Sequence, residues 1–339
     1  MKILYANVIE KNAGWSSEYF INKALLALGH ETYCVDYRKD RRRLYQRFIT
    51  APDCDAFLLQ RGDYFPIPLI KSFRIPRFFW ATELVSRCRD QDRLLRSGLF
   101  DRVFLRSKDC INAVTSRGWA ESNRCSIMTN SCFDENFHRK IPGVVKDIDL
   151  LFVGRMSRRR KAILEKVSSG FKCLSAAAYG EALVRFANRA KIMLNIHAED
   201  FPDTETRVFE TLGSGSFLLT EQLSSENPFS ERELVQFKDT EDLMKKIRYF
   251  LDHEEEREAI AARGHAAALQ NHTFTHRAQQ IVETISPYLE QKKGEHGEFI
   301  RRGRDLRMYA LSEPFLPVYY CILKKFFLPV RTKLIKKRR

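Results

Sequence analysis

Short apolar runs alternate with amphipathic stretches along most of the chain. KILYANV (2–8) is a run of strand length, and the SSEYFINKALLALG stretch after it sets Phe20, Ala24, Leu25 and Leu28 on one stripe at helical spacing. Ser16 or Ser17 is placed to cap that helix, Gly29 to stop it, and ETYCVDY (31–37) is a second strand. AFLLQRG (56–62), RFFWATE (77–83), RVFLRS (102–107) and RCSIMTN (124–130) continue as strands. RKDRRRLYQRF (38–48), DRLLRSG (92–98) and KDCINAVTSRG (108–118) read as the helices between them. A strand-turn-helix-strand opening carried on in this way predicts a doubly wound parallel sheet.

KIPGVVKD (140–147), with Pro, Gly and polar residues, reads as a linker, and the alternation then starts again. IDLLFVG (148–154), FKCLSA (171–176), IMLNIHA (192–198), FLLT (217–220) and ELVQF (233–237) are the strands of the second half. Helices are expected after Gly154, over 179–190, from about 204, and over 239–253, 254–271 and 275–291. The expected organisation is α/β: a first Rossmann-like domain over 1–139, the linker, a second over 148–292, and a basic amphipathic tail over 293–339.

Two stretches of the second half carry candidate chemistry. In RVFETLGSGSFLLTE (207–221), Val208, Phe209 and Leu212 make a core face, while Arg207 and Glu210 lie three apart on another. Asp203 or Thr204 can cap this helix, and Gly213 and Gly215 end it. A helix N-terminus beside a strand end, with an arginine and a glutamate on one face, suits a phosphorylated sugar nucleotide. A plain surface ion pair explains the same spacing. In IDLLFVGRMSRRRKAILEKV (148–167), a strand ends in Gly154-Arg155 and a basic turn enters a helix, which aims cations and helix N–H groups at one anion. Four arginines in so short a turn also suit an RNA patch.

In the first half, Gly14 permits close approach to the first turn, although a simple turn glycine reads the same way. Strand-end residues of open parallel sheets face the ligand, which makes Glu83 and Arg87 acceptor-side candidates. The dinucleotide fingerprint G-x-G-x-x-G is absent.

RVFETLGSGSFLLTE resembles the donor-site segment of GT-B glycosyltransferases of the group 1 (family 4) type, closest to the branch of CgeB-like spore maturation proteins. The ELVQF strand and the helices after it, to ARGHAAALQNHTFTHRAQQIV, resemble that branch's closing pattern, so the resemblance spans roughly 147–285. It implies two Rossmann-like domains facing across a cleft, with the closing helices packing back onto the first domain. It places the family's glutamate at Glu210, its glycine at Gly215, its Gly-Arg at Gly154-Arg155, and a second cation at Arg160 or the adjacent Lys161. Asn195, Thr206 and Arg207 complete the implied donor-binding set. TNSCFDENFH (129–138) resembles the family's N-G-x-D-x-x-x-F segment, with Ser131 in place of glycine and Asn130 on the acceptor side. Many relatives carry another glutamate eight residues before the first, where this chain has Pro202.

The implied function is sugar transfer from a nucleotide-sugar donor to a glycan or lipid-linked acceptor, in cell-surface polysaccharide synthesis. Glu210 and Arg155 are its central residues, and the implied chemistry retains anomeric configuration and uses neither metal nor cofactor. Two other readings stand beside it: a non-catalytic RNA- or lipid-binding protein on a decayed transferase scaffold, motivated by Pro202 and the basic surplus, and a nucleotide-sugar epimerase.

Composition adds limits to this picture. A length of 339 residues, 44% of them hydrophobic, suffices for two cores, and a net charge of +15 favours anionic partners. The eight cysteines form no C-x-x-C pair and read as reduced thiols of a cytoplasmic protein. No signal-peptide core and no apolar run of membrane-spanning length is present. Asp147 and Asp149 spell D-x-D but read as the solvent end of a strand, and His272 and His276, four apart, lack a third ligand. After Glu313 the chain has eight lysines and arginines and no acid, interleaved with aromatics. The segment 314–339 is therefore expected to hold the protein on the inner face of an anionic membrane, and nucleic acid is the less favoured partner.

Overall fold

The computed structural model describes residues 1–9, 14–129, 131–291 and 304–315. They form two compact units: Met1–Met128 together with the chain from Ile281 onward, and Thr129–Gln280.

The first unit is built on a parallel sheet of β1 (Lys2–Asn7), β2 (Glu31–Asp36), β3 (Ala56–Gln60), β4 (Arg77–Trp80), β5 (Arg102–Leu105) and β6 (Cys125–Ile127) in the order β2-β1-β3-β4-β5-β6. Ile3 to Ala6 and Ala56 to Leu59 are wholly buried, as continuous apolar strands covered on both faces must be. Ser16 caps α1 (Ser17–Ala27) by accepting from the Tyr19 N–H at 3.2 Å. The basic stretch expected as a helix over 38–48 is helical only in α2 (Leu44–Ile49). Asp36 Oδ1 accepts from the N–H groups of Arg38 and Lys39, both at 3.0 Å, and winds the chain into a turn before the helix can start. A helix that the apolar pattern does not announce, α3 (Ile67–Ser72), starts after Pro66 and is too short to show a period. α4 (Arg89–Arg96) and α5 (Lys108–Ser116) follow β4 and β5.

The second unit repeats the plan with β7 (Ile148–Val153), β8 (Cys173–Ala176), β9 (Ala190–Asn195), β10 (Leu218–Glu221) and β11 (Val235–Phe237), all parallel, in the order β11-β10-β9-β7-β8. Alternate residues of β7 enter opposite cores: Leu151 and Val153 pack with Val208, Phe209 and Leu212, while Leu150 and Phe152 pack with Leu164, Ile192 and Leu243. Its helices are α6 (Arg158–Ser168), α7 (Glu181–Arg189), α8 (Thr206–Gly213), α9 (Thr240–Asp252) and α10 (Glu254–Asn271). α11 (Phe274–Gln291) starts here and ends among residues counted with the first unit, where the Tyr288 ring meets Phe78 at 5.3 Å.

The segment read as a linker, 140–147, is tied into the second unit. Asn188 accepts from the Ile141 N–H at 2.7 Å and donates to the Arg139 carbonyl at 3.0 Å, and Lys146 reaches the Ala190 carbonyl at 3.4 Å. The second unit accordingly begins at Thr129, and residues 281–291 go with the first, in place of boundaries at 139, 148 and 292. Of the expected tail, only 304–315 falls among the described residues, as α12 (Arg304–Ser312) and a 3-10 turn (Glu313–Phe315). No helix among the described residues is long and apolar enough to cross a membrane.

Candidate functional site

In the second unit, β7 and β9 are neighbours although β8 separates them in sequence. This is the point where the winding of the sheet reverses, and loops there leave in opposite directions and open a crevice. The residues after these two strands build the site.

After β7, Gly154 leads to Arg155, and Ser157 caps α6 by accepting from the Arg160 N–H at 3.2 Å. Arg160 is buried and its donors are taken: Nε by the Ile196 carbonyl (2.8 Å), one terminal nitrogen by the Arg155 carbonyl (3.0 Å), the other facing Glu205 at 3.5 Å. Arg160 therefore ties the ends of β7 and β9 to the entry of α8. Arg159 clamps Glu221 bidentately, at 2.9 Å to one oxygen, and donates to the His197 carbonyl at 3.1 Å. Lys161 points to solvent beside Glu165 at 3.8 Å, and Arg155 is exposed.

Glu205, rather than Asp203 or Thr204, is the residue before α8, and no side chain caps this helix. Thr204 instead shares a 2.7 Å hydrogen bond with Ser224. The Glu205 carboxylate turns to Arg160 and to His197, whose Nδ1 lies 3.5 Å away. His197 Nε2 donates to the Gln222 carbonyl at 3.0 Å. Burial works against a charged His197, but Glu205, that carbonyl and Glu221 together raise it above its ordinary value. Burial likewise opposes charge on Glu205, and His197, Arg207 and Arg160 more than offset it, holding that carboxyl low.

Arg207 stands differently. Its Nε and one terminal nitrogen are buried without a hydrogen-bond partner, and the guanidinium lies over the Phe152 ring at 5.9 Å. A Cβ on Gly154 would come within 2.8 Å of it and would push the guanidinium aside. No ion pair joins Arg207 to Glu210 among the described residues. Donors of this kind are costly to leave unmade. Asn195 Oδ1, at the end of β9, is buried and unpaired in the same way, while its Nδ2 donates to Thr220 at 3.0 Å.

Glu210, one turn further along α8, is pushed up by burial, with Arg207 pulling the other way. His138 Nε2 lies 3.8 Å from its carboxylate. His138 Nδ1 accepts from the Asp134 N–H at 3.2 Å, which leaves Nε2 to carry the proton of the neutral ring. Burial holds this histidine down to about 4, against Asp134. Gly215 turns the chain after α8 at φ +68°, where an added Cβ would meet the Lys140 side chain at 3.2 Å.

Of the residues singled out in the sequence, Arg155, Asn195, Thr206, Arg207, Glu210 and Gly215 thus belong to β7, β9, α8 or their adjoining turns, and Arg160 to the first turn of α6. In the first unit, Gly14 follows β1 in a turn at φ +92°, and Glu83 and Arg87 follow β4 as exposed residues. Asn130 lies outside the described residues. Asp147 and Asp149 belong to the opposite, N-terminal end of β7 and are paired, with Arg189 at 2.5 and 2.8 Å and with Lys191 at 2.6 Å. His276 bonds Thr273 at 2.7 Å, His272 packs against Phe209 and Phe229, and no cluster of three metal-ligating side chains occurs among the described residues. Glu205, His197, Arg159, Glu221 and His138 were not legible from spacing. Only the acid-rich AEDFPDTE loop hinted that one carboxylate would turn inward.

Residues 150–283 match the model of a glycosyl transferase-like family. Compared by sequence with curated proteins, the chain has no significant match. Its fold is that of solved GT-B glycosyltransferases. Sucrose-phosphate synthase from Thermosynechococcus elongatus superposes with a TM-score of 0.62 at 10% identity, over 86% of this chain and 100% of that one. Anabaena HepE, in complex with UDP and glucose, gives 0.64 at 14% identity over 85% and 100%. A glycosyltransferase from Rickettsia africae gives 0.63 at 9% identity over 86% and 99%.

Proposed function

We propose that the protein is a glycosyltransferase that moves a sugar from a nucleotide-sugar donor, with the donor diphosphate seated on Arg207 at the start of α8. The observation that carries this is the pair of buried, unpartnered Arg207 nitrogens beside Gly154, at the point where the winding of the sheet reverses. The match of residues 150–283 to the glycosyl transferase-like family and the nucleotide-sugar ligands of HepE support the same donor class.

In this reading Arg207 and the exposed Arg155 neutralise the diphosphate as the bond from sugar C1 to the phosphate oxygen breaks and charge grows on the leaving group. Arg160 supports Arg155 from beneath rather than touching the donor. Glu210 accepts from donor hydroxyls, and the neutral His138 positions its carboxylate. The new bond forms between C1 and an acceptor hydroxyl, and the acceptor's proton passes to the leaving phosphate. The configuration at C1 is retained, and no metal or cofactor is required because the cations are built in. The acceptor is a glycan or a lipid-linked glycan at the cytoplasmic face of a membrane, and the resemblance to the CgeB-like branch fits this reading.

The test is turnover of a panel of nucleotide sugars by the purified protein in EDTA. Release of nucleoside diphosphate that increases with added acceptor is expected. A protein that consumes none of them, or only interconverts the free sugar nucleotide, contradicts the reading. Activity abolished by EDTA and restored by Mn²⁺ would overturn its metal-free part.

A further inference from the structure

α12 carries apolar side chains on two opposite faces. On one, Leu306 and Tyr309 are buried in the core of the first unit. The turn that follows is pinned, since Glu313 Oε1 accepts from the Tyr309 hydroxyl at 2.8 Å and from the Tyr45 N–H at 2.9 Å. On the other face Met308 is 60% and Leu311 70% exposed, with Arg307 exposed beside them, and Phe315, in the turn after the helix, is 70% exposed. A spacing of three sets Met308 and Leu311 on one side of the helix. A helix held this firmly by its inner face cannot bury its outer one by rolling over.

The sequence on either side of this stripe is basic, and that bears on what covers it. From Arg301 to Arg339 the sequence has twelve lysines and arginines against two acids, a surplus of ten out of the chain's +15. A second copy carries the same net charge of +15 and is repelled. An anionic partner is attracted, and of these a nucleic acid offers nothing to a row of Met, Leu and Phe. Anionic lipid offers both a charged headgroup layer and an apolar layer beneath it.

We propose that α12 is a fixed membrane-contacting element: Met308, Leu311 and Phe315 enter the boundary between headgroups and acyl chains of an anionic bilayer, and Arg307 stays among the headgroups. This deepens the membrane part of the function above and does not depend on sugar transfer.

The test is co-sedimentation of the full chain with vesicles of phosphatidylcholine alone and of phosphatidylcholine mixed with phosphatidylglycerol. The wild type should bind the mixed vesicles only. Met308→Gln with Leu311→Gln should bind them roughly tenfold more weakly or worse, since two apolar side chains no longer enter the lipid. Its melting temperature and its donor turnover in vesicle-free buffer should stay at wild-type values. Leu311→Trp should show blue-shifted emission on mixed vesicles and quenching by brominated lipid. Equal binding by the double variant, wild-type binding wholly removed by moderate salt, or an unquenched Trp at position 311 would overturn the proposal. So would self-association that the double variant abolishes in a protein that ignores vesicles. Loss of donor turnover with vesicle binding intact would count against the transferase reading alone.

Discussion

Arg160 and Arg207 lie near the same strand ends and differ in one respect: the chain supplies acceptors to the first and leaves buried donors of the second unmade. Arg160→Ala should therefore lower stability by about 2–3 kcal/mol, because it strands two backbone carbonyls, as read in a urea melt. Arg207→Ala strands no hydrogen-bond partner and removes only a cation near Glu205, so stability without ligand should fall by no more than about 1 kcal/mol while diphosphate affinity falls tenfold or more. Glu210→Gln should cut donor turnover by about 10²-fold, the worth of a charged hydrogen bond, with no loss of stability because burial already penalises the ionised carboxyl. His138 adds a pH signature. Its folded value of about 4 lies below the ordinary 6.5, so between these limits the unfolded chain binds more protons. Its contribution is whole above 6.5 and is lost as pH falls toward 4, at about 1.4 kcal/mol per pH unit. Burial lowers His272 as well, while His197 is raised, so His138→Gln should make the loss of stability between pH 7 and pH 5 shallower without abolishing it.

At the scale of elements, most strands and helices were legible because each apolar run is bounded by a cap or a stop. Ser16 and Gly29 stand where the sequence placed a cap and a stop. The exceptions have local causes. Asp36 turns the chain ahead of α2, and α3 is only six residues long. Spacing placed Arg207 and Glu210 on α8 but could not separate a surface ion pair from a ligand site. That distinction rests on Gly154, which is distant in sequence and lies under the Arg207 guanidinium. Gly154→Ala should accordingly displace the guanidinium and weaken diphosphate binding by titration calorimetry. Gly213→Ala, whose Cβ would run into the Phe133 ring, should instead cost about 1–3 kcal/mol of stability through overpacking.

At the scale of the whole molecule, the two sheets repeat one winding order, as the alternation of apolar runs implied. The boundaries were less legible, because the bonds that attach 139–146 to the second unit involve Asn188 and Ala190, far along the chain. The charge is uneven: Arg159 and Arg160 are spent inside the second unit, which leaves Arg155 and Arg158 as the exposed arginines of a turn that had suggested an RNA patch. The measurement that bears most directly on the central claim is the thermal shift produced by a set of nucleoside diphosphates in EDTA, compared between wild type, Arg207→Ala and Lys161→Ala. At least one diphosphate should raise the melting temperature of wild type and of Lys161→Ala, whose side chain faces solvent, and raise that of Arg207→Ala clearly less at the same concentration. A shift of equal size in Arg207→Ala, or none in wild type with any diphosphate, would contradict the account.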